Sequence, residues 1–152
     1  MQPNNQSTSS NPVGRFMVAA GAVIEHKSSG KILLVKRSDK LDWHPGEWEI
    51  DYGRIDQFEH PEAGLKREVE EEVGICDLEI GPVIRVWHIY RGSKSVENDL
   101  VGITYACSTH TLEVKISSEH AAYKWVTPKE ALKLVKIDGV RLDLERFLAL
   151  GS

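Results

Sequence analysis

The stretch GRIDQFEHPEAGLKREVEEEVGI, residues 53–75, carries the punctuation of a loop running into a helix. Pro61 suits the first helical turn, where its missing N–H is not needed. Glu59 or His60 stands at the cap position. Ala63, Leu65, Val69 and Val73 supply an apolar stripe. Gly74 suits the left-handed position that ends a helix. The spacing predicts a helix over 61–73. Within it, Glu68, Glu71 and Glu72 stand at i, i+3 and i+4, which places three carboxylates within an arc of about 100° beside the stripe. Like charges at this spacing weaken a helix by a few tenths of a kcal/mol per pair. A hard divalent cation offsets that, because magnesium prefers oxygen and is held by carboxylates together with substrate phosphates. A bare acidic run is ordinarily a solvated face. The glycine loop, proline start and glycine stop around this one favour the metal reading.

Upstream, Phe16 to Glu25 is a mostly apolar run fit for a buried strand. HKSSGK makes a turn, and Lys31 to Arg37 is a second apolar run, so residues 15–37 read as a hairpin. A polar stretch with a Pro45-Gly46 turn signal follows. Trp48 and Ile50 alternate with Glu49 and Asp51, which suggests a short strand. Downstream, Leu78 to Tyr90 and Leu100 to Ser108 look like longer strands. Thr111 to Ile116 is a further candidate strand or strand edge. His120 to Val126 leads into Thr127-Pro128, a cap-then-proline helix start. A short helix over 128–135 and a last helix from Val140 to Leu150 complete the chain. Strands with interspersed helices mean an α/β or α+β sandwich, and the opening hairpin argues for a mixed sheet.

The 152 residues are 41% hydrophobic and 28% charged, the balance of one ordinary globular domain. A formal charge of -4 argues against a nucleic-acid duplex as partner, since such binding leaves a basic footprint. No apolar run reaches the roughly 18 residues of a membrane span, so no membrane partner is expected. Residues 1–14 are rich in Ser, Asn, Gln and Pro and read as a disordered tail without the features of a secretory signal; 15–152 reads as one domain. Cys76 and Cys107 make no disulfide framework, so a cytoplasmic location is expected. Both read as small apolar core residues.

Residues 53–75 resemble the Nudix box, Gly-x5-Glu-x7-Arg-Glu-U-x-Glu-Glu-x-Gly-U, where U is a bulky aliphatic. Gly53, Glu59, Arg67, Glu68, Val69, Glu71, Glu72, Gly74 and Ile75 fill every fixed position. The flanking order of elements is also similar to the family's, so the resemblance extends over roughly 15–150. It implies an α/β/α sandwich with a mixed sheet. It implies an enzyme that hydrolyses a nucleoside diphosphate linked to another moiety, with magnesium, or manganese, as cofactor. Glu68, Glu71 and Glu72 would bind the metal and carry catalysis, with the Gly53 carbonyl as a further ligand. Glu59 and Arg67 would brace the loop against the helix, and Arg67 also counts among the candidate substrate-binding groups. A homodimer is one option the resemblance brings. Tyr52 and Phe58 stand where many such boxes carry glycine, so an unusual path is expected for the loop 53–59.

Outside the box, Glu119 in SSEHAAYKW is the best candidate for a further catalytic carboxylate, and Glu97 is second. His120 reads more readily as a structural or solvent-exposed histidine. Lys36 and Arg37, at the end of the second strand, are candidates for substrate phosphate or base. Arg85, Arg91 and Lys94 are weaker ones. Tyr52, with Trp43, Trp48, Trp87 and Tyr90, is a candidate for stacking a nucleobase. The favoured substrate is a nucleoside triphosphate or dinucleoside polyphosphate. Two alternatives stand beside it. The stretch KRSDKLDWHPGEWEID also resembles the region before the box in isopentenyl-diphosphate isomerases and their hydrolase relatives, although no cysteine precedes Cys76. A Nudix-fold module that binds a nucleotide without cleaving it is the other.

Overall fold

The computed structural model describes residues 13–151. Of the expected tail, only Val13 and Gly14 fall among them, as exposed coil; residues 1–12 and 152 lie outside. Strand β1 (Met17–His26) runs through the middle of a seven-stranded mixed sheet. It pairs in parallel with β6 (Asp99–Thr109) along its whole length, Met17 beside Leu100 and His26 beside Thr109. β6 in turn pairs antiparallel with β5 (Glu79–Tyr90). The expected hairpin turn is present, with Gly30 at φ +71°, but β1 and β2 (Ile32–Arg37) pair only at Glu25 and Ile32. Beyond that point β2 leaves β1 to pair with β7 (His120–Val126) and with the two-residue β3 (Trp48–Glu49). Its place beside β1 is taken by β4 (Asp51–Arg54), with Ala19–Ala22 opposite Arg54–Asp51. That exchange brings the start of the glycine loop into the centre of the sheet.

Helix α1 (Pro61–Val73) has the predicted bounds. His60 is its cap: Nδ1 accepts from the Glu62 N–H at 3.2 Å, while Glu59 turns to Arg67 instead. Gly74, at φ 73°, ends it with its N–H on the Glu70 carbonyl. Leu65, Val69 and Val73 are fully buried against Ala20, Ala22, Ile24, Leu33 and Val35. Burial of each such side chain contributes about 1.5–3 kcal/mol. Ala63, expected in the stripe, is exposed, and Gly64 is buried in its place. A Cβ at Gly64 would meet Glu59 Oε1 at 2.7 Å.

The other sheet face packs on α2 (Pro128–Leu134) and α3 (Asp138–Leu150), through Val23, Ile32, Leu34 and Ile50 against Ala131, Val135, Val140 and Leu144. The molecule is thus an α+β sandwich, with successive residues of β1 and β2 facing opposite helical layers. Helix α3 begins two residues earlier than expected, at Asp138.

Thr111–Ile116 is not a strand. Val114 is buried there, and the alternation is that of a strand, but the backbone bonds elsewhere. Lys115 N–H donates to the Val73 carbonyl at 2.9 Å and Ser117 N–H to the Glu72 carbonyl at 3.0 Å. The segment therefore ties off the free carbonyls at the end of α1. Cys107 is buried as expected, but Cys76 is exposed, since it follows the helix-terminating glycine at the surface.

Candidate active site

A cavity of about 890 Å³ opens between the loop end of the sheet, α1 and the start of α3. One end is acidic. Gly53 of β4 and Glu68, Glu71 and Glu72 of α1 line it, with Glu49 of β3 and Glu119 and His120 at the start of β7. Gly53 is there because nothing larger fits: a Cβ would stand 2.3 Å from Glu68 Cγ. The strand can therefore lie directly under the first carboxylate of the helix.

The three box acids differ in environment. Glu71 is exposed, Glu68 is largely covered, and Glu72 is buried at 7%. Arg67 sits between the loop and the helix. Its guanidinium bonds Glu59 at 2.7 and 2.8 Å, Glu68 at 2.9 Å, Glu71 at 3.2 Å and the Arg54 carbonyl at 3.2 Å. Those bonds occupy the guanidinium, and Arg67 does not line the cavity. The pair holds the Glu59 carboxyl down at about 2, mainly through the Arg67 hydrogen bond, and raises Arg67 in return.

Behind Glu72 lies a group that the sequence reading did not select. Asp51 is 3% exposed and His120 is 7% exposed, so the histidine is buried and not a solvent-facing one. Ligand atoms of Asp51, Glu72 and His120 all lie within 4.8 Å of one another. Both carboxyl oxygens of Asp51, Oε2 of Glu72 and Nδ1 of His120 have no hydrogen-bond partner among the described residues. On its other side, His120 Nε2 is 3.3 Å from Glu49, which pairs with Arg37 at 3.1 Å. Burial pushes the Asp51 carboxyl up to about 6. Burial also pushes Glu72 far above the carboxylate range, and the neighbouring Asp51 and Glu119 add to the rise. Carboxylates so placed resist ionisation unless a cation joins them. The oxygen donors that line the cavity, the carboxylates of Glu68, Glu71 and Glu72, fit a magnesium-type site.

The other end of the cavity is aromatic and basic. Tyr52, Arg85, Trp87, His88 and Arg91 line it, with Ile137–Val140 of α3 opposite. Tyr52 meets the Trp87 ring edge-on at 5.8 Å, and the Arg85 guanidinium lies 5.6 Å from the same ring centroid. Arg37 and Trp43 reach the cavity, with Arg37 Nε donating to the Trp43 carbonyl at 2.6 Å. Lys36, Trp48, Tyr90, Lys94 and Glu97 do not line it.

Phe58 shows what the missing glycine does. Its φ is +67°, in the left-handed region that glycine favours, and its ring is 99% exposed. The backbone takes the glycine-like conformation despite the side chain.

The chain matches the family model described as NUDIX domain over residues 15–149. It is 30% identical over 138 residues to a MutT-like protein of Streptomyces ambofaciens, covering 90% of this chain and 80% of that one. It is 32% identical over 111 residues to the nucleoside triphosphatase NudI of Escherichia coli, covering 68% of this chain and 78% of the relative. Among solved structures it is similar to a MutT protein from Methanosarcina mazei, with a TM-score of 0.75, 24% identity and coverage of 93% and 99% of the two chains.

Proposed function

The chain belongs to the Nudix family of hydrolases, and on that premise we propose that it is a magnesium-dependent pyrophosphohydrolase of nucleoside triphosphates or dinucleoside polyphosphates. The triphosphate is the reading we favour within that pair, supported by the named activity of the Escherichia coli relative. The observation that carries the proposal is the polarity of the cavity above α1. A carboxylate floor and a basic aromatic wall share about 890 Å³, which is the size range of a small-molecule site. A nucleotide has the matching polarity, with phosphates at one end and a flat base at the other.

Gly53, through its carbonyl, and Glu68, Glu71 and Glu72 would hold the metal. When bound, a divalent ion neutralises phosphate charge and acidifies a water for in-line attack. The remaining work belongs to the chain. Glu68 or Glu119 accepts the proton of the attacking water. Arg67 keeps Glu68 and Glu71 on one side of the helix, so the carboxylates are set before substrate arrives. Arg37, Arg85 and Arg91 face substrate phosphate or base, and Tyr52 and Trp87 flank the base. Two unpaired cysteines are in keeping with a reducing cytoplasm.

The test is phosphate or pyrophosphate release from a nucleotide panel, with magnesium and with EDTA. Turnover should require the metal, and Glu72→Gln should lower it by about 10³-fold or more without loss of the folded far-ultraviolet spectrum. A wild-type protein that binds nucleotides but releases nothing would make the chain a binding module instead.

A further inference from the structure

We propose that Asp51, Glu72 and His120 form a buried mixed nitrogen–oxygen site for a divalent first-row transition ion, distinct from the oxygen-only magnesium set of the helix face. The inference rests on the Nudix reading only in that Glu72 belongs to both sets. Three observations carry it. The ligand atoms are clustered within 4.8 Å of one another. Ligands on one ion, at roughly 2.0–2.3 Å each, stand about 3 Å apart when adjacent and up to about 4.6 Å when opposite. The cluster therefore needs to contract to close on an ion.

Next, all three side chains are more than nine-tenths buried, and each carries at least one buried polar atom without a hydrogen-bond partner. Buried polar atoms are ordinarily paired, so unpartnered atoms on all three clustered side chains mark the place of a missing counter-group. Two carboxylates and a neutral imidazole carry a charge that one divalent ion balances.

Last, the donor set is selective. Imidazole suits zinc, iron, cobalt and nickel, whereas magnesium takes oxygen and keeps its water. His120 is held for ligation, because Nε2 meets Glu49 at 3.3 Å and Nδ1 is left without a partner. A carboxylate on the far ring nitrogen is the usual way a ligating histidine is held.

The experiment uses the full chain, stripped of metal, and zinc ions as probe. Equilibrium dialysis against zinc in excess magnesium should retain about one zinc per chain, and X-ray absorption should show one nitrogen and several oxygens around it. Asp51→Asn and His120→Gln should each weaken retention by about tenfold or more. Glu71→Gln, outside the cluster, should retain zinc like wild type while losing magnesium-dependent turnover. No zinc retained by wild type, an oxygen-only shell, or undiminished retention in both variants overturns the site. If neither variant folds, the absorption spectrum of wild type decides alone. Turnover without zinc retention sinks this site and leaves the hydrolase reading standing; zinc retention without turnover does the reverse.

Discussion

The Tyr52 hydroxyl donates to the Asp143 carboxylate at 2.6 Å, joining strand β4 to helix α3 across 91 residues of chain. Asp143 is wholly buried, and it also accepts from Thr104 Oγ1 at 3.0 Å and pairs with Arg85. Thr104 in turn accepts from the Trp87 indole at 2.9 Å. One carboxylate thus fixes three side chains of the aromatic cavity wall, two directly and Trp87 through Thr104. Burial, with Asp143 next, raises the Tyr52 phenol well above its ordinary range, so it stays a donor at any working pH.

Asp143→Ala should therefore cost about 3–5 kcal/mol of unfolding free energy, because Arg85 would lose its only carboxylate partner among the described residues and keep the Gly139 carbonyl as acceptor. Urea unfolding followed by tryptophan fluorescence reads this directly. A loss under about 1 kcal/mol would show that Arg85 finds water or another acceptor.

Glu59 gives a prediction in pH. Its carboxyl ionises at about 4.5 in the unfolded chain and about 2 in the folded one, chiefly through the Arg67 hydrogen bond. A lowered folded value means the pair stabilises the fold above about pH 4.5 and ceases to do so as the pH falls toward 2. Glu59→Gln should melt below wild type at neutral pH, and the gap should close across that acid window. A gap independent of pH would assign the loss to packing rather than to charge.

Sequence reading went furthest where backbone chemistry is local. Pro61 and Gly74 delimit α1 because each acts on its own φ and hydrogen bonds. It went least far at β3 and β4. Alternation separates Trp48 and Ile50 from Glu49 and Asp51, but the sheet is covered on both faces, so the acids are as buried as the isoleucine. Pattern alone marks which residues share a side, not whether that side meets water. Asp51 and His120 were missed as a pair for that reason, being 69 positions apart on strands, β4 and β7, that pair with β1 and β2 and not with each other. A charged residue inside a short strand next to the glycine loop was the available signal. Thr111–Ile116 fails differently: its alternation is satisfied against the end of a helix.

The two thiols should react unequally. Burial pushes Cys107 up to about 12, whereas Cys76 is exposed, with its own thiol raised chiefly by Glu70. Iodoacetamide at pH 8 should modify Cys76 first and Cys107 only in denaturant. Mass spectrometry of native and unfolded samples distinguishes the two sites. Equal rates in the native chain would contradict the placement of β6.

Phe58 is a place where the fold bears strain. A left-handed residue with a side chain costs about 1–2 kcal/mol, and its ring makes no compensating burial. Phe58→Gly should stabilise the protein by roughly 0.5 kcal/mol once the greater freedom of glycine in the unfolded state is subtracted. Thermal melting that falls instead would reveal a contact made by the ring.

Gly53 has a consequence beyond its own position. With Glu68 seated directly on the strand, the gap between helix and sheet at Gly53 is set by backbone thickness, and any side chain there would pry the two apart. The floor of the cleft therefore behaves as a rigid anvil. The opposite wall is fixed as well, since Arg85 and Trp87 of β5 are held through Asp143 and Thr104, so a change there would be felt in the buried network behind it.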